Sequence, residues 1–136
     1  MNAEEMYADI ILDYYRNPRN FGTIKAPDGY FKDANPVCGD IVEMRFRVEE
    51  GKIVDIKYWG KGCAISSAAA GMLTEMVMGK TIDEALKIKK EDVLLTLGIQ
   101  ISPMRLKCAL LGYKVFKCAL YHYIGKDYSE DNEKSA

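Results

Sequence analysis

The stretch IVEMRFRVEEGKIVDIKYW, residues 41–59, decides the fold because it contains two alternating segments joined by a turn. In residues 41–49 the two faces differ sharply, with Val42, Met44, Phe46 and Val48 on one and Glu43, Arg45, Arg47 and Glu49 on the other. A period of two residues indicates a half-buried β-strand. Residues 53–59 alternate again after the turn Glu50-Gly51-Lys52, so we expect the two strands to pair as an antiparallel hairpin.

The flanking sequence predicts one more strand and several helices. GYFKDANPVCGD, residues 29–40, is typical of a short strand that runs into a Pro- and Gly-containing loop. The helices are predicted over residues 3–16, from Cys63 to Gly79, after the capping residue Thr81, over Lys90–Leu97, and from about Ser102 to Ile124. Strands come early and helices late. This order predicts an α+β domain, with a small antiparallel sheet of about three strands, helices packed on one face and a long C-terminal helix.

The long last helix combines an apolar face with a basic region. Its predicted apolar face consists of Leu106, Leu110, Tyr113, Leu120 and Ile124. No acidic residue occurs between Val93 and Lys126, whereas several basic residues do. We expect this basic region, including Lys114 and Lys117, to face a protein partner, with a solvated helix face as the alternative.

Length and composition restrict the class of protein. The 136 residues, 49% hydrophobic and 29% charged, predict a single domain over residues 1–125 and a polar, flexible tail over residues 126–136. The net charge of −1 argues against nucleic acid as a partner. No stretch is apolar enough to cross a membrane, and the N-terminus lacks the basic residues of a signal peptide. A cytoplasmic protein is therefore expected.

Three of the four cysteines stand beside residues that favour metal binding or thiol chemistry. Cys38 is followed two positions later by Asp40, so a thiolate and a carboxylate can share one metal ion. Cys63 lies at a helix start, where the positive helix end favours a thiolate. Cys108 follows Lys107 directly, and nearby cations are expected to favour its ionisation. Cys118 lies ten residues further along the same helix, about 15 Å away, and is predicted to fill the core.

These residues closely resemble the U-type iron-sulfur cluster scaffold proteins, which comprise IscU, SufU and the N-terminal domain of NifU. The resemblance covers nearly the whole chain through the motifs DYYRNPRNFG, ANPVCGD, GKGCAISSAAAGML and SPMRLKCALLGYK. It implies the α+β fold predicted above. It also implies that Cys38, Cys63 and Cys108 hold a nascent cluster, that Asp40 is the fourth ligand or the group that tunes release, and that Cys108 accepts persulfide sulfur from a cysteine desulfurase.

The chain combines features of two branches of this family. The IscU branch has a histidine before its third cysteine, where this chain has Lys107, which could instead assist sulfur transfer electrostatically. That branch also has an L-P-P-V-K segment read by a specialised Hsp70 chaperone, and the different residues at 101–105 put this partner in question. The Arg-Leu-Lys-Cys sequence resembles SufU, yet the 44 residues between Cys63 and Cys108 leave no room for the insertion of that branch.

The resemblance implies a scaffold rather than an enzyme. Iron and desulfurase-derived sulfur would form a labile [2Fe-2S] cluster, which would pass to acceptor apoproteins such as a ferredoxin. A homodimer of the cluster-loaded form is left open. The alternative is a zinc-dependent sulfurtransferase of the SufU kind, in which the same four residues, Cys38, Asp40, Cys63 and Cys108, would hold zinc.

Overall fold

A computed structural model describes residues 2–36 and 38–129 of the chain. The elements, in chain order, are α1 (Ala3–Arg16), β1 (Gly29–Asn35), β2 (Asp40–Glu49), β3 (Lys52–Lys61), α2 (Ala64–Val77), α3 (Ile82–Leu86), α4 (Lys90–Leu97) and α5 (Pro103–Tyr123). Within the described residues, the three strands form one antiparallel sheet in the order β1-β2-β3. The predicted α+β fold and its hairpin are confirmed, and Glu50 and Gly51 take up the left-handed conformation at its turn.

The core lies between the sheet and two helices, α2 and α5. Met44 and Phe46 point from β2 into this layer and are fully buried. The Phe46 ring lies 6.1 Å from the ring of Phe116 on α5. A β-carbon at Gly112 would lie 3.2 Å from the Ala70 side chain, so glycine at this position allows α5 to approach α2 closely. This sheet-and-helix layer fixes the positions of the segments that end at its edge.

Several helix boundaries show the physical signals that the sequence predicted. Thr81 and Glu84 form a reciprocal capping box at the start of α3. Gly98 ends α4 in the left-handed conformation.

α1 packs on α2, where the Tyr14 hydroxyl donates a hydrogen bond to Glu75. No helix within residues 2–36 and 38–129 is long and apolar enough to span a lipid bilayer.

The predicted apolar face of α5 was too narrow. Tyr113 and Leu120 are buried, but Leu106, Leu110 and Ile124 are only half-buried. The central turns are instead buried on several sides because α5 contacts the sheet, α2, α3 and α4. Residues outside the predicted face are therefore buried as well: Cys108, Ala109, Leu111, Val115, Phe116 and Ala119.

The expectation that Lys117 belongs to a basic surface facing a partner is wrong. Its side chain is 1% exposed, and its Nζ donates a hydrogen bond of 2.6 Å to the carbonyl of Leu86. The amine also lies 5.5 Å from the centre of the Tyr113 ring. Lys117 thus holds the C-terminal end of α3 against α5 and does not face a partner. Lys114 is exposed and pairs with Asp33 at 2.9 Å.

The predicted flexible tail begins inside the described residues and continues beyond them. After α5 the chain turns at Gly125, and the ring of Tyr128 packs edge-on against Tyr121 with 5.1 Å between ring centres. The prediction for residues 130–136 lies outside the described residues.

Candidate metal and thiol centre

Cys38 and Cys108 meet where the β1–β2 loop reaches the first turns of α5. Their sulfur atoms are 2.7 Å apart, although 70 residues separate them in the chain. Cys38 is exposed in a loop where Gly39 adopts a left-handed conformation, and Cys108 is 1% exposed. The Asn35 side-chain amide donates a hydrogen bond of 3.0 Å to the Cys38 sulfur. The fold therefore unites two of the three cysteines predicted to share a site.

Asp40 lies beside this pair because of its position in β2. It is in phase with the inward-facing Val42 and Met44, so its carboxylate points to the buried side of the sheet and is 2% exposed. Oδ1 accepts a hydrogen bond of 3.2 Å from the backbone N–H of Cys63. Oδ2 is buried and has no hydrogen-bond partner among residues 2–36 and 38–129. One ligand atom from each of Cys38, Asp40 and Cys108 lies within 4.8 Å of the other two.

Cys63 stands at the edge of this group. It is the N-cap of α2 rather than the first helical residue, and its sulfur accepts a hydrogen bond of 3.4 Å from the Ser66 N–H. Its backbone is tied to Asp40, but its sulfur is not within the 4.8 Å group. Gly62 supplies room between these residues, since a β-carbon there would lie 2.7 Å from Asp40 Oδ1.

The electrostatics at Cys108 differ from the sequence-based expectation. Burial, followed by the neighbouring Cys38, Asp40 and Cys63, raises the pKa of the Cys108 thiol far above its ordinary value. The expected lowering by Arg105 and Lys107 is wrong because both cations are exposed, whereas the thiol points into the protein. A bound cation would supply the positive charge that the thiol lacks here.

Cys118 and His122 lie away from the centre. Cys118 is buried, and burial raises the pKa of its thiol, in keeping with its predicted place in the core. His122 is exposed in the last turn of α5, with its ring 5.4 Å from that of Phe31. Neither belongs to the group formed by Cys38, Asp40 and Cys108.

Comparison with known proteins identifies the family. The model of the NifU-like N-terminal domain matches residues 6–130. The chain belongs to this family. It is 39% identical over 129 residues to the iron-sulfur cluster assembly scaffold protein IscU 1 of Archaeoglobus fulgidus, covering 95% of this chain and 84% of that protein. It is 32% identical over 134 residues to the zinc-dependent sulfurtransferase SufU of Bacillus subtilis, covering 85% of this chain and 90% of that protein.

Solved structures confirm the fold of the family. The putative iron-sulfur cluster assembly scaffold protein for the SUF system from Fervidobacterium islandicum superposes with a TM-score of 0.73 at 30% identity. That comparison covers 88% of this chain and 99% of the other. A NifU-like N-terminal protein from Brucella abortus gives a TM-score of 0.72 at 19% identity, covering 90% and 97% of the two chains.

Sequence reasoning missed two residues that support the centre. Asn35 pairs with Asp40 across the first hairpin and donates to the Cys38 sulfur. The sequence feature that indicates this role is the position of Asn35, a polar residue three positions before Cys38 in a turn-forming segment. Gly62 directly precedes Cys63, and a glycine next to a proposed ligand commonly marks a close approach. These two residues shape the space around the sulfur atoms and the carboxylate.

Proposed function

We propose that this protein assembles an iron-sulfur cluster from iron and sulfide and passes it to acceptor proteins. Cys38, Asp40, Cys63 and Cys108 would be the ligands. The family membership and the relatives named as cluster assembly scaffolds support this proposal. The cluster is the cargo of such a protein, so the molecule acts as a scaffold rather than as an enzyme.

The buried carboxylate of Asp40 is the observation that carries the proposal. Burying a carboxylate without full hydrogen bonding is unfavourable, and buried charges are normally paired or coordinate metals. Oδ2 of Asp40 has no partner among the described residues, and one oxygen of the same carboxylate lies within 4.8 Å of the sulfur atoms of Cys38 and Cys108. A cation between these residues would satisfy the carboxylate and offset the cost of a thiolate at the buried Cys108.

The mixture of ligands suits a site that must release what it binds. Thiolates are the usual ligands of iron-sulfur clusters. A carboxylate is a harder ligand and prefers harder cations, so its bond to a cluster iron exchanges more readily than a thiolate bond. Replacing Asp40 by Ala should therefore allow assembly on the cysteines but slow cluster transfer to an apo-ferredoxin. Transfer as fast as in the wild type would remove Asp40 from the release step.

The proposed roles extend to the sulfur donor and other partners. The Cys108 sulfur would attack the outer sulfur of a desulfurase persulfide and release the desulfurase thiol, and an external two-electron reductant would then reduce the new persulfide to cluster sulfide. The exposed Lys107 beside it would assist the transfer by its charge. Acceptor apoproteins such as a ferredoxin would receive the cluster, with a homodimer as the proposed loaded form. The thiols must stay reduced to bind metal, so the function requires a reducing compartment such as the cytoplasm.

Anaerobic reconstitution tests this function directly. The purified protein is incubated with ferrous iron and sulfide, and its visible absorption, iron content and acid-labile sulfide are then measured. We expect the wild type and Cys118→Ala to load equally, since Cys118 lies outside the centre, and Cys38→Ser and Cys108→Ser to lose the cluster. Equal loading of all four proteins would contradict the proposed ligand set.

A zinc-dependent sulfurtransferase is the second candidate, and the compactness of the centre favours it. Two thiolates on one tetrahedral zinc ion lie about 3.8 Å apart, as follows from zinc-sulfur bonds of about 2.3 Å. Three ligand atoms within 4.8 Å therefore fit one ion closely. The SufU relative is named as zinc-dependent, which points the same way. Zinc without sulfide after anaerobic purification, together with sulfur transfer from a desulfurase, would support this candidate over the scaffold.

A further inference from the structure

A large groove runs along α5 beside the metal and thiol centre. It has a volume of about 1120 Å³, and Asn35 and Lys107 stand at the end nearest the centre. Its floor is largely apolar and includes Ile88, Leu110 and Tyr113. Tyr121 and Tyr128 line its far end.

The rim of the groove is strongly basic. Lys87, Lys89, Lys90 and Lys107 are exposed lining residues, and Glu91 is the one glutamate among the described residues that line the groove. Like charges gathered around one concave surface produce a positive potential that attracts an acidic segment. An apolar floor adds contact area for the stems and small side chains of such a segment. The groove thus fits an extended acidic peptide.

The chain itself enters this groove after α5. The N–H groups of Gly125 and Lys126 bond to the carbonyls of His122 and Tyr121, which is the Schellman pattern that reverses a chain at a helix end. Gly125 has the left-handed conformation that the reversal requires. The chain then places Tyr128 against Tyr121 inside the groove. Ser129, the next residue, is the last that the structure describes.

Charge and length fit the segment that follows. Residues 130–136 contain Glu130, Asp131 and Glu133 against the single basic residue Lys134. Tyr121 and Lys107 are 14 residues apart on α5, or about 21 Å at 1.5 Å per residue. Seven extended residues span up to about 25 Å. A segment that starts beside Tyr121 therefore reaches the lysine next to Cys108.

From these observations we propose that the groove is the docking surface for the chain's own acidic segment, residues 130–136. An acidic partner segment that approaches Cys108 would compete for the same groove. The docking itself does not depend on which cargo the centre takes.

Carbodiimide cross-linking of the full-length protein tests the docking, because this reagent joins carboxylates directly to lysine amines in contact. We expect links from Glu130, Asp131 or Glu133 to Lys107 and to other rim lysines, in monomeric protein. Because salt screens charge, their yield should fall about threefold between about 0.05 and 0.5 M NaCl. The metal-free and the metal-loaded protein are both tested, so a failure to load cargo is distinguished from a failure to dock.

Charge reversal supplies the matched control. Lys87→Glu with Lys90→Glu should reduce the links to Lys107, whose own amine is unchanged. Lys25→Glu with Lys52→Glu changes two exposed lysines outside the groove and should leave those links intact. Links only between isotopically distinct chains would identify a second copy as the occupant and overturn the proposal. Links to lysines outside the groove alone, or no links, would also overturn it.

Discussion

Replacing Asp40 by Asn should stabilise the metal-free protein while weakening its metal binding. The substitution keeps the shape of the side chain and the oxygen that accepts from the Cys63 N–H. It replaces the unpartnered oxygen by an amide donor, in a side chain of which one oxygen lies within 4.8 Å of the sulfur atoms of Cys38 and Cys108. Thiol and thiolate sulfur atoms are acceptors for such a donor.

The expected gain follows from the burial of Asp40. Its carboxylate is 2% exposed, and one oxygen has no hydrogen-bond partner among the described residues. An unsatisfied buried group costs about 1–3 kcal/mol, so the Asn variant should raise the free energy of unfolding by about 1–2 kcal/mol. With a urea m-value of about 1–3 kcal/mol per molar, the midpoint should rise by about 0.3–2 M.

Urea unfolding followed by circular dichroism, with and without zinc, measures both effects. Zinc at about 100 times its Kd stabilises the wild type by about 2.7 kcal/mol, and the variant should gain much less from the same zinc concentration. The surface control Asp9→Asn, on the exposed face of α1, should stay within about 0.5 kcal/mol of the wild type in both conditions. If Asp40→Asn destabilised the metal-free protein by more than about 1 kcal/mol, the carboxylate would be well accommodated and the reasoning refuted.

Three further predictions concern the space, the thiols and the buried lysine. Gly62→Ala puts a β-carbon 2.7 Å from Asp40 Oδ1, and displacing this carboxylate should weaken zinc binding about tenfold. Competition with a chromophoric chelator measures the affinity, and an unchanged affinity would show that the carboxylate is not a ligand. In metal-free protein, iodoacetamide should alkylate the exposed Cys38 before Cys108, because burial raises the pKa of the Cys108 thiol, and zinc should protect both thiols. Mass spectrometry of timed digests gives the order of alkylation, and Cys108 reacting first would contradict the structure. Lys117→Glu should destabilise the fold by about 3 kcal/mol or more because it buries a negative charge beside the Leu86 carbonyl, whereas Lys114→Glu at an exposed position should cost about 1 kcal/mol at most. Thermal unfolding measures both effects, and equal effects would contradict the burial of Lys117.

Local signals in the sequence were sufficient for most of the fold. The alternation in residues 41–59 specified the hairpin, since a strand with one buried face has to place its apolar side chains on that face. Continuing the same alternation back by one step from Val42 reaches Asp40, and this explains its burial. Capping at Thr81 and the glycine at position 98 marked helix boundaries for equally local reasons.

The surroundings of α5 could not be obtained in this way. Helical periodicity identifies one buried stripe, but α5 contacts elements on several sides, and only tertiary packing decides which they are. Lys117 nonetheless occurs at the same helical spacing as Tyr113 and Leu120, so its place in the apolar stripe was present in the sequence. The charge of the side chain concealed that place, because lysine is seldom fully buried.

The pKa of Cys108 shows the same limitation at the centre. Adjacent residues on a helix point in different directions, so Lys107 is exposed while Cys108 faces the core. The adjacent position of Lys107 in the sequence therefore does not bring its charge to the Cys108 thiol. The groups that determine the ionisation of Cys108 come from distant segments, namely Cys38, Asp40 and Cys63.

The two sides of the centre differ in how far they can move, and this difference bears on release. The sulfur atoms of Cys38 and Cys108 are 2.7 Å apart and must separate to about 3.8 Å to bind one tetrahedral ion. Cys108 is buried against the sheet and Asp40 is held in the register of β2, so neither yields easily. Cys38 is exposed in a loop next to the left-handed Gly39, so packing restrains its sulfur less than that of the buried Cys108. Cargo would therefore enter and leave past the exposed Cys38 as the Asp40 carboxylate bond exchanges, while the backbone positions of Asp40 and Cys108 stay fixed.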